Sequence, residues 1–160
     1  MNGLRPVRIV GVGSPNGDDA VAWDVIKEAL EAGCGADAEL HAVEGGQRLL
    51  EVLDGRGSLL LIDAVAPAGT PGAVRRFTWP DARLETLRPG STHDMRPGEA
   101  LALAATLGLL PGRVVVWGVE GACFEPGADL TPAVAAAVPA VARAVREELA
   151  AILDEGDDRA

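Results

Sequence analysis

The sequence predicts an α/β fold: a mostly parallel sheet covered by helices on both faces. Three observations carry this. Short, apolar, β-branched runs stand at Val7–Val12, Ser58–Val65 and Arg113–Val119, the pattern of strands buried on both sides. Stretches of helical period lie between and after them, and strands alternating with helices build such a layered sheet. Glycine and proline punctuate the junctions, as at Gly33–Gly35 and in the loop Ala66–Gly72, which has no apolar period.

The elements follow in order. Val7–Val12 is the first strand, ended by glycine, and Gly13 to Asp19 is a loop. Ala20 to Ala32 is a helix with Val21, Val25, Ile26, Ala29 and Leu30 on one face. Gly33 and Gly35 stop it. Glu39–Val43 is a short second strand, Glu44-Gly45-Gly46 a turn, and Gln47–Leu53 a short helix. Ser58–Val65, apolar almost throughout, is the third and central strand. Ala73–Thr78 alternates Val74 and Phe77 with Arg75 and Arg76, which suits an edge strand with one wet side. Trp79 to Thr92 is irregular. Pro97 fits a first helical position, and Glu99–Leu107 continues that helix. Arg113–Val119 is the last buried strand, and Glu120 to Leu130 a loop. Thr131-Pro132 starts the final helix, with Thr at the N-cap and Pro at N1. It runs towards Leu153 with a kink expected at Pro139, and Asp154 to Ala160 reads as a frayed, flexible tail. The whole chain, 1–160, reads as a single domain.

Composition narrows the function. Hydrophobic residues make up 48% of the chain but aromatic ones only 3%, so the core is built from Ala, Val and Leu. Fourteen basic residues face 24 acidic ones, a net charge of -10. That balance argues against nucleic acid and membrane surfaces as partners, since both demand clustered cations. Cys34 and Cys123 are far apart and form no CxxC motif; both read as ordinary thiols. Residues 1–6 lack the apolar core of a signal peptide, and no apolar stretch is long enough to span a bilayer. A cytoplasmic location is expected.

Three polar residues stand where such a fold collects ligands. In an open α/β sheet, ligands bind in the crevice outside the carboxyl ends of the strands. Asp19 follows the first strand, Asp63 ends the apolar run Leu59–Ile62, and His93 lies in the loop Ser91-Thr92-His93-Asp94. Two carboxylates and an imidazole make a plausible transition-metal site. Each residue also has a plainer reading. Asp18 and Asp19 can cap the following helix, Asp63 can accept loop amides, and His93 can be an exposed loop side chain. His41, within the second strand, reads as structural. Gly11-Val12-Gly13 begins like a dinucleotide fingerprint, but Asn16 stands at the third glycine and two aspartates occupy the phosphate position. Neither a G-x-S-x-G elbow nor an H-E-x-x-H zinc motif is present.

Taken together, these segments resemble the maturation endopeptidases of [NiFe] hydrogenases. Ile9-Val10-Gly11-Val12-Gly13 running into Gly17-Asp18-Asp19 is similar to the family's opening strand, turn and acidic pair. Glu44-Gly45-Gly46 is similar to its acidic-Gly-Gly turn, and Leu61-Ile62-Asp63-Ala64-Val65 to its third strand. Ser91-Thr92-His93-Asp94 with Glu99-Ala100-Leu101 matches its histidine loop and following helix. Gly118-Val119, Phe124-Glu125-Pro126 and Leu130-Thr131-Pro132 match its last strand, loop and helix start. The pieces follow the family's order over nearly the whole chain.

The resemblance implies a three-layer α/β/α sandwich around a five-stranded mixed sheet with one antiparallel strand. It implies an endopeptidase that removes the C-terminal extension of a hydrogenase large-subunit precursor after nickel insertion. The metal contacts, and with them the catalytic positions, fall on Asp19, Asp63 and His93. The nickel arrives with the substrate, and no organic cofactor is implied. Departures fall in the loop Ser14–Gly17, one residue shorter than usual, at Gly121-Ala122 in place of a frequent Pro-Glu, and at Arg96-Pro97-Gly98. The first leaves Asp18 as an alternative to Asp19. The nucleophile, the identity of the base and the oligomeric state stay open. Two rival readings stand beside this one: a non-catalytic metallochaperone or checkpoint protein of the same fold, and a nucleotide-binding α/β domain.

Overall fold

The computed structural model describes residues 6–81 and 97–158. A five-stranded sheet runs in the order β2-β1-β3-β5-β4. Its strands are β1 (Val7–Gly13), β2 (Glu39–Glu44), β3 (Ser58–Val65), β4 (Val74–Thr78) and β5 (Arg113–Glu120). β1, β2, β3 and β5 are parallel, and β4 pairs antiparallel with β5. The mixed sheet with one antiparallel strand is therefore present. β4 is at the edge, as expected, but the expected alternation does not hold: Phe77 alone is buried, and Val74 is exposed along with Arg75 and Arg76. β3 is central, and its residues from Leu59 to Ala64 are all buried.

Helices cover both faces. α1 (Val21–Glu31) and α4 (Pro132–Asp158) pack together on one face. Between them and the sheet lie Ile9, Val25, Leu60, Ile62, Trp117, Val141 and Val145. α2 (Gly45–Glu51) and α3 (Pro97–Thr106) pack together on the other, over Val10, Val12, Leu49, Leu61, Phe77, Leu101 and Val116. The even and odd residues of β3 thus divide between two cores, which its continuous apolar run requires. Aliphatic side chains make up most of both cores, each contributing about 1.5–3 kcal/mol when fully buried, and each core also takes in one buried aromatic residue, Trp117 in the first and Phe77 in the second.

Two expectations change. The predicted Glu44-Gly45-Gly46 turn leads straight into α2: Gly45 turns the chain with a positive φ of 80°, and the helix starts at these two buried glycines rather than at Gln47. The predicted tail from Asp154 is helix through Asp158, and Glu155 there pairs with Arg113 at the start of β5. α4 is one continuous helix through Pro139. Pro139 removes the donor to the Ala135 carbonyl, but both residues lie on the exposed side, where water can replace the bond. At the N-terminal end of the sheet, Arg8 ties elements together. Its guanidinium donates to both Asp54 oxygens at 2.6 and 2.9 Å and pairs with Glu39 at 2.8 Å. These pairs tie β1 to β2 and to the loop before β3, at the end of the sheet opposite the crevice.

Candidate active site

β1 ends at Gly13, and the chain turns back over the carboxyl end of the sheet. Residues Gly17–Ala20 form a single 3-10 turn that leads into α1 and lies against β3. The turn is closed by the Asp19 N–H donating to the Asn16 carbonyl at 3.1 Å and the Ser14 N–H donating to the Asp19 carbonyl at 3.3 Å. Gly13 is required here because a Cβ would run into the Asp19 carbonyl oxygen. Gly17 takes a positive φ of 57°, which favours glycine.

Asp19 is 3% exposed and Asp63 6%. Asp63 lies on β3 directly between its register partners Val12 of β1 and Gly118 of β5. Strand alternation gives it the face of Leu59 and Leu61, under α2 and α3. The two expected carboxylates therefore come to the same end of the same sheet, both buried. His93 lies outside the described residues; Pro97, four residues on, is the buried first residue of α3. Among the described residues, no three His, Cys, Asp or Glu side chains form a group that could hold a metal.

The capping reading fails for Asp18. The N-cap position of α1 falls on Ala20, and the Asp18 side chain points away to the loop after β5. It has no exposure. Its Oδ2 accepts the N–H groups of Ala122 (2.7 Å) and Cys123 (3.0 Å), and its Oδ1 accepts the Thr131 N–H (2.7 Å). The Thr131 hydroxyl donates to the same carboxylate, 2.9 Å from Oδ2. Burial alone would raise the Asp18 pKa. The amides of Ala122, Thr131 and Cys123, with the Thr131 hydroxyl, outweigh it and hold the carboxyl below its ordinary value.

Glu120 is a buried carboxylate that sequence reasoning passed over as the start of a loop. It ends β5 beside Val65, and its Oε2 accepts the Thr70 N–H at 2.5 Å, so it fastens the loop that follows β3. Cys34 and Cys123 are both free thiols, and burial pushes the Cys34 thiol up, away from the reactive thiolate. His41 is half-buried in β2, opposite Val10.

Residues 26–148 match the family described as hydrogenase maturation protease (HycI). The chain belongs to that family. Solved structures of similar fold bear related names. The hydrogenase maturating endopeptidase HybD from E. coli is 25% identical, with a TM-score of 0.71 and 94% of each chain covered. The [NiFe] hydrogenase maturation protease HybD from Thermococcus kodakarensis is 21% identical, with a TM-score of 0.72, over 90% of this chain and 99% of that one. The maturation protease HycI from the same archaeon is 17% identical, with a TM-score of 0.68, over 92% and 94%. No match was found among curated proteins. Family membership supports a protease role. Among the described residues, no helix is long and apolar enough to cross a membrane.

Proposed function

We propose that this chain removes the C-terminal extension from a [NiFe] hydrogenase large-subunit precursor once nickel has been inserted, in the cytoplasm. Asp19, Asp63 and His93 are its contacts to the metal. The observation that best supports this is the pair of buried carboxylates at the carboxyl ends of β1 and β3, in a chain of the hydrogenase maturation protease family. Asp18 gives way to Asp19 in this reading because both Asp18 oxygens already accept loop donors.

The nickel is part of the substrate. Two carboxylates and one imidazole are a thin shell for a tight resident site but suit the completion of an ion already held by precursor thiolates. The metal then positions the scissile segment and polarises its carbonyl or an attacking water. Cleavage depends on loading because an unloaded precursor offers nothing for the three side chains to grip.

The test is the intact mass of nickel-loaded precursor after incubation. Wild-type protein shortens it; Asp63→Asn and His93→Ala leave it at full length while keeping the wild-type circular dichroism. Full cleavage by both variants rejects the assignment. A precursor bound but never shortened by wild type favours a checkpoint protein of the same fold.

A further inference from the structure

We propose that Asp18 is a positioning residue: it clamps the loop after β5 to the 3-10 turn and thereby aims Asp19 at the metal. The inference rests on the proposed function for its catalytic readout, but the clamp itself is visible in the bonds. They run both ways. The turn donates to the loop, through Gly17 N–H to the Ala128 carbonyl at 3.0 Å and Asp18 N–H to the Cys123 carbonyl at 2.7 Å. The loop donates back to the Asp18 carboxylate from Ala122, Cys123 and Thr131. Two segments more than a hundred residues apart are thus stitched by backbone and side chain together.

Sterics keep the stitch tight. A Cβ on Gly17 would strike the Cys123 carbonyl, and one on Gly121 would lie 3.1 Å from the Asp18 Cβ and 2.5 Å from the Phe124 ring. Thr131 is also the residue whose carbonyl accepts the first helical bond of α4, from Ala135 N–H at 2.9 Å. The clamp therefore anchors the turn to the head of a 27-residue helix, a rigid support. Asp19 is the next residue in the turn, and its own carbonyl and N–H close that turn on Ser14 and Asn16. Releasing Asp18 frees the segment that sets where the Asp19 carboxylate points.

Asparagine at position 18 keeps the shape but has one acceptor oxygen, so the N–H donors at one side of the clamp meet an NH2 group. Single-turnover cleavage of nickel-loaded precursor by Asp18→Asn should lose roughly tenfold to a hundredfold in rate, the cost of a misplaced reacting group, with KM little changed. Thr131→Val, which replaces the hydroxyl with a methyl group, should lose several-fold, and Thr131→Ser, which keeps the hydroxyl, should recover that loss; this pair carries the test if Asp18→Asn does not fold. Hydrogen exchange gives an independent reading: in Asp18→Asn, or in Thr131→Val, the amides of Ser14 and Asp19 should exchange faster along with those of Ala122, Cys123 and Thr131. A folded Asp18→Asn protein that cuts at the wild-type rate overturns the proposal, as does a loss confined to KM, or Thr131→Ser cutting no faster than Thr131→Val. If wild type itself leaves the loaded precursor intact, the proposed function fails instead. Exchange then decides the clamp: loosening that stops at 122–131 and spares Ser14 and Asp19 rejects it.

Discussion

Asp18 is charged, without solvent exposure, and held by groups that donate to a carboxylate. Its pKa is held below the ordinary value of 3.8 in the folded chain, so the native state binds its proton less readily than the unfolded one. The stabilisation is then complete above the unfolded value and is lost as pH falls through the lower, native value. Charge-assisted bonds of this kind contribute about 1.5–3 kcal/mol. Urea midpoints should therefore show wild type more stable than Asp18→Asn by about that amount near neutral pH, with the gap closing below pH 3.8. A gap that stays constant down to about pH 2.5 would refute the ionised clamp. The residue was legible only in part. Asp63 announces itself by following four apolar residues, where a carboxylate is costly to bury. Asp18 gives no such sign, because its partners are backbone amides 104 to 113 residues away, and an amide has no letter in the sequence. Glu120 was missed for the same reason, its partner being the Thr70 N–H.

At the scale of elements, β3 carries Asp63 and contributes to both cores. Leu61 has no exposure and packs among Leu59, Phe77, Leu101 and Val116, whereas Val74 on the edge strand is 40% exposed. Leu61→Ala should cost about 2–5 kcal/mol of unfolding free energy by cavity formation, and Val74→Ala under about 0.5 kcal/mol. Equal midpoints for the two variants would contradict the assignment of β3 to the centre. The inner strands were legible because burial on two faces imposes a continuous apolar run, as in Ser58–Val65; the edge strand was placed correctly, but of its two apolar residues only Phe77 is buried. The start of α2 was less legible, because two glycines read as a turn: Gly45 does turn the chain, with a positive φ of 80°, but the helix begins there without a further loop. The last turn of α4 was hidden likewise: its acidic residues look like solvated tail, but Glu155 reaches Arg113.

For the whole molecule, topology does what no single motif could. The parallel crossovers place the ends of β1, β3 and β5 side by side, which gathers Asp19, Asp63 and the Asp18 clamp at one end of the sheet, while Arg8 braces the other. The order of weak motifs along the chain carried the family, and family membership then came from the match over residues 26–148. The central claim is that these side chains read a nickel ion brought by the substrate. It is tested most directly by incubating the protein with matched nickel-loaded and metal-free large-subunit precursor and weighing both products. The account predicts a shortened product from the loaded precursor alone; equal trimming of both, or of the metal-free one only, would contradict it.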